Sequence, residues 1–511
     1  MAGEVQPYLD ILKHLELIHE KTFFPELEYI FKHALTQDVA YQTLLSRRRQ
    51  ELHGTVGRAL EELYADRLAE QAGIIAYHHA RSDKPASGIA YAMMAGDGAA
   101  RLYANAEART YYDQALELAR KLPVSAESQR AQIDATLKLA GVSFTREHFK
   151  QDLANLEPAL AMATALTDEP RRSKVLYWIA RTHYVRGQLA SAVEFSEKSL
   201  ALAESLRDES LIVWPSNLLG RICTVIGDYV KATALMQRCV AILEGLGNRS
   251  ELATASSILG VSLAAIGEFG QALKFSEQGL AIARESQNLP AQAANLYYMA
   301  IVYEQKGDWA RVVEYGRAGL EIAQRVGDLF RVYVLDAVLG YGLVRLGEVQ
   351  PGIDSIEKGI RLAEQLGTTY LLSWAVCWLS DAYLSRGDVD QALNAASRAL
   401  ALLSPGSDAY GESRAARCYG DALLRKEPAQ LAEAEHHIGS AIRLQQDKGM
   451  RPQAAISFVS HARLLQARGD SEGARALLDR AARLFDQMEM SWHRRYVAGI
   501  QATTQDQQGP Q

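Results

Sequence analysis

Residues 288–327 read NLPAQAANLYYMAIVYEQKGDWARVVEYGRAGLEIAQRVG. In the first half of this stretch, apolar side chains recur at helical spacing, which predicts a helix over residues 291–306. The residues on its apolar face are Leu296, Met299, Ala300 and Tyr303. Gly307 interrupts the pattern, since glycine adopts the left-handed backbone that ends a helix. Residues 309–326 show the helical spacing again, so the stretch predicts a helical hairpin.

Four sets of residues return along the chain at a constant interval of 40 positions. The small residues of the first helices are Ala180, Gly220, Gly260, Ala300, Gly340 and Ser380. The glycines seven residues later are Gly187, Gly227, Gly267, Gly307, Gly347 and Gly387. Two series lie in the second helices: Ala192, Ala232, Ala272, Val312, Gly352 and Ala392, and Ser199, Cys239, Gly279, Gly319, Gly359 and Ala399. A period in this range indicates an architecture of stacked repeats.

Glycine inside a helix costs about 1 kcal/mol relative to alanine. Several positions in the series accept that cost: Gly220, Gly260, Gly279, Gly319, Gly340 and Gly359. Close crossing of antiparallel helices explains them, because a larger side chain would hold the helices apart. After Leu403 we expect the loop at residues 404–407 to shift the phase by two. The small-residue series then resumes at Ala422, Ala434 and Ala441.

A paired-helix repeat with a small residue, a Gly-Asp or Gly-Glu turn and further spaced small residues resembles the tetratricopeptide repeat. The usual unit of that family has about 34 residues, so the units here are longer. They also lack the proline that often closes it. The resemblance implies an all-α fold, namely a right-handed superhelical solenoid of about ten tetratricopeptide-like helical hairpins with a 40-residue period.

The composition excludes several classes of protein. Of the 511 residues, 48% are hydrophobic, which is enough for a continuous core. The net charge of −6 does not favour broad binding to nucleic acid or anionic membranes. No apolar segment follows a basic start, so we expect no signal peptide, and the most apolar run, residues 370–379, is too short to span a bilayer. The four cysteines form no CxxC pair, so we expect neither disulfides nor a zinc site. These features predict a cytoplasmic protein of bacterial type.

Residues 1–64 differ in kind from the repeats. Residues 8–20 and 34–64 carry helical patterns, and the short aromatic segments at residues 22–24 and 27–31 suggest two strands of a small wing. This order predicts a partial winged-helix segment. The segments expected after it are connecting helices at residues 65–100, the repeat solenoid at residues 101–500 and a disordered tail at residues 501–511.

A second resemblance rests on residues 29–41, YIFKHALTQDVAY, residues 44–53, LLSRRRQELH, and residues 95–118, AGDGAARLYANAEARTYYDQALEL. These segments resemble the junction between winged helix and repeat arm in bacterial STAND-class ATPases that carry a class III adenylate or guanylate cyclase domain. The resemblance implies that His33 contacts a bound nucleotide in the resting state. The alternative is that His33 packs at the start of a helix.

The chain has no GxxxxGK[ST] phosphate-binding loop and no Gly-Lys dipeptide, whereas a P-loop NTPase needs that backbone cradle and lysine. No cyclase core is recognisable either. We therefore expect a non-enzymatic interaction or sensor scaffold, the regulatory arm of an ATPase-cyclase architecture, with no cofactor. The alternative is an adenylate or guanylate cyclase, or its subunit, that acts through domains outside this chain.

Three polar clusters are further candidate sites, namely two pairs of adjacent histidines and one run of arginines. Adjacent histidines on a helix point about 100° apart, so neither the pair at residues 78–79 nor the pair at residues 436–437 predicts a metal site. No HExxH or Cys/His spacing supports one. The arginines at residues 47–49 are interpreted as a solvated helix face rather than a phosphate contact.

The inner surface of the solenoid is the preferred candidate site. In stacked helical hairpins the first helices line the concave side, which binds extended partners. We expect the positions three before, one after and four after each small residue to face it, together with tryptophans one turn further back. The predicted residues are Tyr177, Arg181, Tyr184, Trp214, Asn217, Arg221, Tyr297, Glu304, Tyr341, Trp374 and Asp381. Aromatic side chains and arginine are enriched at binding hot spots, which favours a protein or peptide partner, with a P-loop ATPase or cyclase as one candidate. The alternative is that several of these aromatics pack between repeats.

Overall fold

The computed structural model describes residues 2–22, 28–102, 104–143, 146–369, 371–404, 406 and 408–506. The chain divides into two compact units, Met1–Ser143 and Phe144–Gln511. Apart from one two-stranded sheet, the regular structure of the described residues is helical, which confirms the predicted all-α class. None of the helices in this part of the chain combines the length and the apolar character needed to cross a lipid bilayer.

The elements of the first unit are α1 (Ala2–His14), β1 (Ile18–Thr22), β2 (Glu28–Phe31), α2 (Ala34–Thr43), α3 (Ser46–Leu63), α4 (Leu68–His79), α5 (Pro85–Arg101), α6 (Asn105–Lys121) and α7 (Ala126–Gly141).

The elements of the second unit are α8 (Arg146–Ala165), α9 (Glu169–Val185), α10 (Leu189–Leu206), α11 (Glu209–Ile226), α12 (Tyr229–Gly245), α13 (Arg249–Ala265), α14 (Phe269–Glu285), α15 (Leu289–Lys306), α16 (Trp309–Arg325), α17 (Leu329–Arg345), α18 (Val349–Leu366), α19 (Leu372–Arg386), α20 (Val389–Ala401), α21 (Ala409–Arg425), α22 (Leu431–Asp447), α23 (Arg451–Ala467), α24 (Ser471–Gln487) and α25 (Ser491–Asp506).

The two N-terminal strands form a hairpin, but the first strand lies earlier in the sequence than expected. β1 and β2 form an antiparallel ladder. The helix expected at residues 8–20 is wrong at its end, because it stops at His14 and the backbone of residues 18–20 pairs with β2 instead. Residues 23–27, which hold most of the first expected strand, lie outside the described part of the chain.

The single helix expected at residues 34–64 is also wrong. It is divided into α2 and α3 at Leu44 and Leu45, whose ψ angles of 135° and 143° are extended rather than helical. Further on, α4 and α5 lie where two connecting helices are expected, and α5 ends one residue beyond the expected boundary at residue 100. α5 begins with Pro85 at a first helical position, where its missing N–H sacrifices no helical hydrogen bond.

From α9 to α24 the second unit is a row of eight helical hairpins, in which an odd-numbered first helix precedes an even-numbered second helix. Each first helix from α13 to α23 also packs on the next first helix, so these helices form one continuous layer. Within the hairpin of α15 and α16, Gly307 ends the first helix with a φ of 82°. Asp308 then begins the second, since its Oδ1 accepts the N–H of Arg311. These features confirm the predicted solenoid of hairpins.

The small-residue series marks positions where two helices cross closely. A Cβ atom at Gly340 would lie 2.5 Å from the carbonyl oxygen of Gly352, and a Cβ atom at Gly352 would lie 2.5 Å from that of Gly340. A Cβ atom at Gly260 would lie 2.8 Å from the carbonyl oxygen of Ala272. Distances below 3.0 Å to backbone require the helices to move apart, so the predicted role of these glycines is confirmed.

The predicted phase shift at residues 404–407 is wrong. Gly340 lies on Gly352, twelve residues later, whereas Gly420 lies on Ala434, fourteen residues later. Gly420 is also 40 residues after Ser380, so the first-helix series continues to Gly420 and does not move to Ala422. The two extra residues lie in the turn between α21 and α22, after Arg425. No glycine follows the end of α21, whose C-terminal cap is Lys426.

Within the second unit the row of hairpins returns upon itself. Arg451 of α23 donates to the carbonyl oxygen of Ile266 and to Glu268, which lie 185 and 183 residues earlier. The rings of Trp309 and Trp492 contact each other with centroids 5.7 Å apart. With a 40-residue period this separation is between four and five repeats, so α23 to α25 pack beside α13 to α16.

The C-terminal helix α25 extends to Asp506. The first six residues of the tail expected at residues 501–511 therefore continue a helix. Residues 507–511 lie outside the described part of the chain.

Candidate binding cavity

A cavity of about 430 Å³ lies within the second unit. Its wall takes side chains from five successive first helices and from α25. One residue from each of these helices is Glu304, Tyr341, Asp381, Arg417, Ser460 and Trp492. We call this space the central cavity. Most of its lining residues belong to first helices, and Trp309 of α16 and Phe485 of α24 complete it.

A buried ion pair joins two of these helices. Arg414 Nη1 of α21 lies 2.7 Å from Glu304 Oε1 of α15, and Trp378 Nε1 donates to the same oxygen at 3.1 Å. The two charged side chains are only 4% and 2% exposed. Either charge alone would be costly at this depth, so each requires the other. The pair fixes two helices that are 110 residues apart in sequence.

A second ionic group stands beside the first. Arg417 donates from Nη2 to Asp381 Oδ2 at 3.0 Å and from Nη1 to Asp421 Oδ2 at 2.6 Å. Burial raises the pKa of Asp381, but the charges of Arg417 and Arg414 outweigh that effect and bring it to about 2. Asp381 is therefore an anion at neutral pH. Ser460 Oγ also donates to Asp421 Oδ2, at 3.0 Å.

Arg345 is held by rings rather than by carboxylates. Its guanidinium carbon lies 4.3 Å from the ring centroid of Trp492, 5.2 Å from that of Trp309 and 5.9 Å from that of Tyr341. Arg345 makes no hydrogen bond or ion pair with any other described residue, and its Nε is buried. Cation–π contacts of this kind orient a guanidinium and leave its N–H groups available.

His493 of α25 closes one side of the cavity. Its ring stacks on Phe485 with centroids 5.1 Å apart, and it is only 6% exposed. Burial lowers the pKa of His493 to about 3, and the charges of Arg345 and Arg414 act in the same direction. The ring is therefore neutral at physiological pH, and its Nδ1 has no hydrogen-bond partner within the described chain.

Unpartnered polar atoms concentrate at this cavity. Seven buried side-chain atoms of its lining have no hydrogen-bond partner among the described residues: Glu304 Oε2, Trp309 Nε1, Arg345 Nε, Arg414 Nε, Arg417 Nε, Asp421 Oδ1 and His493 Nδ1. Buried polar groups of folded proteins are nearly always hydrogen-bonded. The cavity wall therefore carries hydrogen-bonding capacity that the protein itself does not use.

A smaller cavity of about 50 Å³ lies nearer the start of the unit, lined by Tyr184, Arg221, Tyr297, Trp374 and Tyr410 among others. Its lining is mainly aromatic and aliphatic. The rings of Trp374 and Tyr410 stack with centroids 4.2 Å apart, and Trp374 Nε1 donates to Asp408 at 2.9 Å. Burial raises the pKa of Asp408 to about 6, although the N–H of Gly411 and the indole of Trp374 favour its charged form.

The predicted inner-surface residues fall into three groups. Glu304, Tyr341 and Asp381 line the central cavity, and Tyr184, Arg221, Tyr297 and Trp374 line the smaller one. The others, which line neither, are Tyr177, Arg181, Trp214 and Asn217. They lie close together, since the rings of Tyr177 and Trp214 are 5.9 Å apart, Arg181 lies over Trp178, and Asn217 Oδ1 accepts from Arg221 at 3.0 Å. Tyr297, Tyr341 and Trp374 are buried, so they pack between repeats as well as facing a cavity.

The candidate residues outside the repeats are His33, the histidines at residues 78–79 and the arginines at residues 47–49. His33 is exposed and stands at the N-terminal cap of α2, where its carbonyl oxygen accepts from Thr36. His78 Nδ1 lies 3.0 Å from His53 Nδ1. Across the described residues no group of three His, Cys, Asp or Glu side chains is arranged to hold a metal ion. Arg48 is exposed and donates to Glu51 of its own helix.

Several lining residues were not predicted from the sequence: Trp309, Arg345, Arg414, Arg417, Trp492 and His493. Arg417 would have been found with the correct phase, because it stands three residues before Gly420. Arg345 lies five residues after Gly340, outside the positions that the spacing rule selects. Trp492 and His493 reach the cavity only because the superhelix returns upon itself, and local periodicity carries no signal of that.

Comparisons with known proteins agree with the architecture. Residues 210–285 and 458–480 match family models described as tetratricopeptide repeat. No curated protein sequence matches the chain. The solved structure of a Rap protein complexed with Competence and Sporulation Factor is similar with a TM-score of 0.55 at 14% identity, covering 71% of this chain and 99% of that one.

Two further solved structures are similar with lower TM-scores. One is a STAND protein with a tetratricopeptide repeat sensor from Pyrococcus horikoshii, with a TM-score of 0.41 at 14% identity, covering 93% of this chain and 68% of that one. The other is aspartyl phosphate phosphatase F from Bacillus subtilis, with a TM-score of 0.42 at 12% identity, covering 71% of this chain and 95% of that one. The likeness to the Rap protein, at 14% identity, shows the fold alone, which is a solenoid of tetratricopeptide-like helical hairpins.

Proposed function

We propose that this chain is a non-enzymatic binding scaffold that holds a protein, a peptide or a small effector on the inner surface of its solenoid. In this role the bound partner shifts an equilibrium between two arrangements of the repeats, and a neighbouring domain or protein responds. Such coupling needs a ligand that binds one arrangement more tightly than the other.

The observation that carries the proposal is the convergence of five first helices and α25 on the central cavity. Residues far apart in sequence, such as Glu304 and Trp492, contribute to one lining. A ligand there contacts several repeats at once, so it can favour one curvature of the solenoid over another. The unused hydrogen-bonding capacity of the wall supports binding rather than simple packing.

The fold also favours a binding role. The Rap protein that is similar at a TM-score of 0.55 was solved in complex with Competence and Sporulation Factor. The same architecture therefore accommodates a bound factor in another protein. We extend only the general role, a solenoid that binds a regulatory factor, to this chain.

A finer proposal concerns the signalling context. Residues 29–118 resemble the junction of STAND-class ATPases with cyclase domains, so we propose that the first unit docks such an ATPase and that His33 contacts its nucleotide. An additional observation favours docking. α2 has no buried residue, and Leu35, Val39 and Leu45 in and beside it are 74%, 55% and 80% exposed. Exposed apolar clusters of this kind mark interaction surfaces.

The binding role can be tested with a photo-crosslinking residue, p-benzoyl-phenylalanine, at Ser385 in the full chain expressed in cells. Ser385 is exposed and lines the central cavity. The matched control is the same residue at Ser397, which is exposed on second helix α20. We expect a discrete adduct from the Ser385 variant that the Ser397 variant does not give. Equal labelling at both positions, or none at either, would contradict the proposal.

The enzymatic alternative has its own test. The purified chain is incubated with ATP or GTP and with Mg²⁺ or Mn²⁺, and cyclic nucleotide is measured. We expect no product above the level of a heat-denatured sample. Formation of cyclic AMP or cyclic GMP by the chain alone would establish the cyclase alternative in place of the scaffold.

A further inference from the structure

We propose that the central cavity binds a small organic anion with about two negative charges, carried on a phosphate or a pair of carboxylates, and that Arg345 is its principal ligand. The inference rests on the proposed function in one respect, since it names the class of effector that the scaffold holds.

The charge balance of the lining is positive. Five arginines and three carboxylates face the cavity, a formal excess of two positive charges. The carboxylates pair with two of the arginines, Arg414 and Arg417. The other three, Arg345, Arg425 and Arg463, have no carboxylate within ion-pair distance in the described chain. The whole chain carries a net charge of −6, so this local excess runs against the composition.

Arg345 is oriented by rings and makes no ion pair with another described residue. The rings of Trp309, Tyr341 and Trp492 hold its guanidinium from their faces. Its N–H donors make no bond to another described residue, and Nε is buried. A planar fork of N–H donors matches the oxygens of phosphate and carboxylate groups, and the matching pairs are the strong hydrogen bonds of proteins. Packing against rings lowers the entropy that this arginine loses when it binds an anion.

The same aromatic wall carries a second arginine. Trp492 stacks on Tyr496 with centroids 5.2 Å apart. Arg463 lies over the ring of Tyr496, at 5.5 Å from the centroid, and donates to its hydroxyl group. Arg345 and Arg463 are thus attached to one stacked pair of rings on α25. An anion between them would bridge α17, α23 and α25.

The size of the cavity points to a small molecule. About 430 Å³ falls within the range of roughly 300–1,000 Å³ that small-molecule sites occupy. The rings of Trp309 and Trp492 offer an apolar surface next to the donors. The site therefore suits an organic anion with an apolar part better than a bare inorganic ion, which would leave that surface uncovered.

The test uses isothermal titration calorimetry and thermal melting of the full chain with inorganic phosphate, pyrophosphate, phenyl phosphate and phthalate as probes. Sodium chloride at matched ionic strength is the blank. The variants are Arg345→Gln, Arg463→Gln and, as a matched control, Arg325→Gln at the exposed end of second helix α16.

We expect saturable binding of at least one dianionic probe, and an increase in Kd of at least tenfold in Arg345→Gln with no change in Arg325→Gln. Binding of phenyl phosphate alone would identify phosphate as the source, and binding of phthalate alone would identify carboxylate.

Several results would overturn the inference. They are saturable binding of no probe to the unmodified chain, or equal affinities in Arg345→Gln and the control. If Arg345→Gln does not fold, Arg463→Gln decides by the same criterion with an expected increase in Kd of at least threefold. Failure of the anion titrations together with a specific adduct at Ser385 would refute the anion and leave the scaffold. Loss of both would refute the scaffold as well.

Discussion

Glu304 and Arg414 lie 110 residues apart in the chain and form an ion pair in which Arg414 Nη1 is 2.7 Å from Glu304 Oε1. Both side chains are almost fully buried, and Trp378 donates to the same carboxylate oxygen. The pair connects first helices of different hairpins across the central cavity. It therefore reports directly on whether the superhelix keeps its curvature.

We expect Glu304→Leu to destabilise the second unit by about 3–5 kcal/mol, because the substitution leaves the charge of Arg414 buried without a partner. The double variant Glu304→Leu/Arg414→Met should recover most of that loss, since it removes both charges together. Midpoints of thermal unfolding, followed by circular dichroism, measure the effect. The control is Glu194→Ala, which removes an exposed pair with Lys198 and should change stability by less than about 1 kcal/mol. A double variant no more stable than Glu304→Leu would contradict the argument.

Gly340→Ala tests the crossing of α17 and α18. The added Cβ would lie 2.5 Å from the carbonyl oxygen of Gly352. Overpacking typically costs about 1–3 kcal/mol, which exceeds the gain of about 1 kcal/mol from replacing a helical glycine by alanine. We therefore expect a lower unfolding midpoint. Gly270→Ala is the matched control, because no atom lies within 4 Å of its Cβ position in α14. That variant should be at least as stable as the parent, and a similar gain from Gly340→Ala would refute the close crossing.

The fold was within reach of the sequence because one physical requirement repeats. From α9 to α20 each hairpin has a small residue where its helices cross and a glycine after its first helix, and both leave marks 40 residues apart. The strand at residues 18–20 and the helix break at Leu44 were not predicted from the sequence. They occur once, so no repetition separates their local pattern from that of a helix.

The candidate site was predicted in part. The spacing rule found Glu304, Tyr341 and Asp381 because their positions depend only on the small residue of their own helix. Applied to Gly420 it would also select Arg417 and Asp421, which line the same cavity, so that omission came from the misplaced phase shift.

The rest of the site depends on curvature. Trp492 and His493 join the lining because α25 meets a hairpin that lies far upstream. Periodicity fixes neighbours within a repeat and between adjacent repeats. The number of repeats in a turn depends instead on small angles summed over several hairpins, and the sequence pattern does not encode that sum.

Asp408 makes the stability of the second unit depend on pH. Burial raises its pKa to about 6 from an ordinary value of 3.8. The folded state therefore binds this proton more tightly than the unfolded state, so the contribution of Asp408 to the free energy of unfolding falls as pH rises from about 4 to about 6. His493 contributes in the opposite direction over this window, because its pKa is lowered to about 3. A shift of about two units corresponds to about 3 kcal/mol at most.

Asp408→Asn should remove this contribution, because the side chain no longer titrates while asparagine still caps α21. Between pH 4 and pH 6 the stability of the variant should therefore rise more with pH, or fall less, than that of the parent. Unfolding midpoints measured at several pH values between 4 and 7 check the expectation, with Asp388→Asn as the control at the cap of α20. The same slope of stability against pH in Asp408→Asn and in the parent would exclude Asp408 as a contributing group.

Gly307→Ala tests whether α25 closes the superhelix. Two penalties apply, since Gly307 has a φ of 82° and its added Cβ would lie 2.3 Å from His493 Cε1. Gly387→Ala isolates the first penalty, because Gly387 has a φ of 89° and no atom within 4 Å of the Cβ position. A left-handed alanine costs roughly 1–2 kcal/mol, so that loss is common to both variants.

We expect Gly307→Ala to melt at a lower temperature than Gly387→Ala, and faster amide hydrogen exchange in α25 should accompany it. Adding His493→Ala to Gly307→Ala should bring the midpoint back toward that of Gly387→Ala, because it removes the ring that the new methyl group meets. Equal midpoints for the two glycine variants would mean that α25 is not seated on this turn.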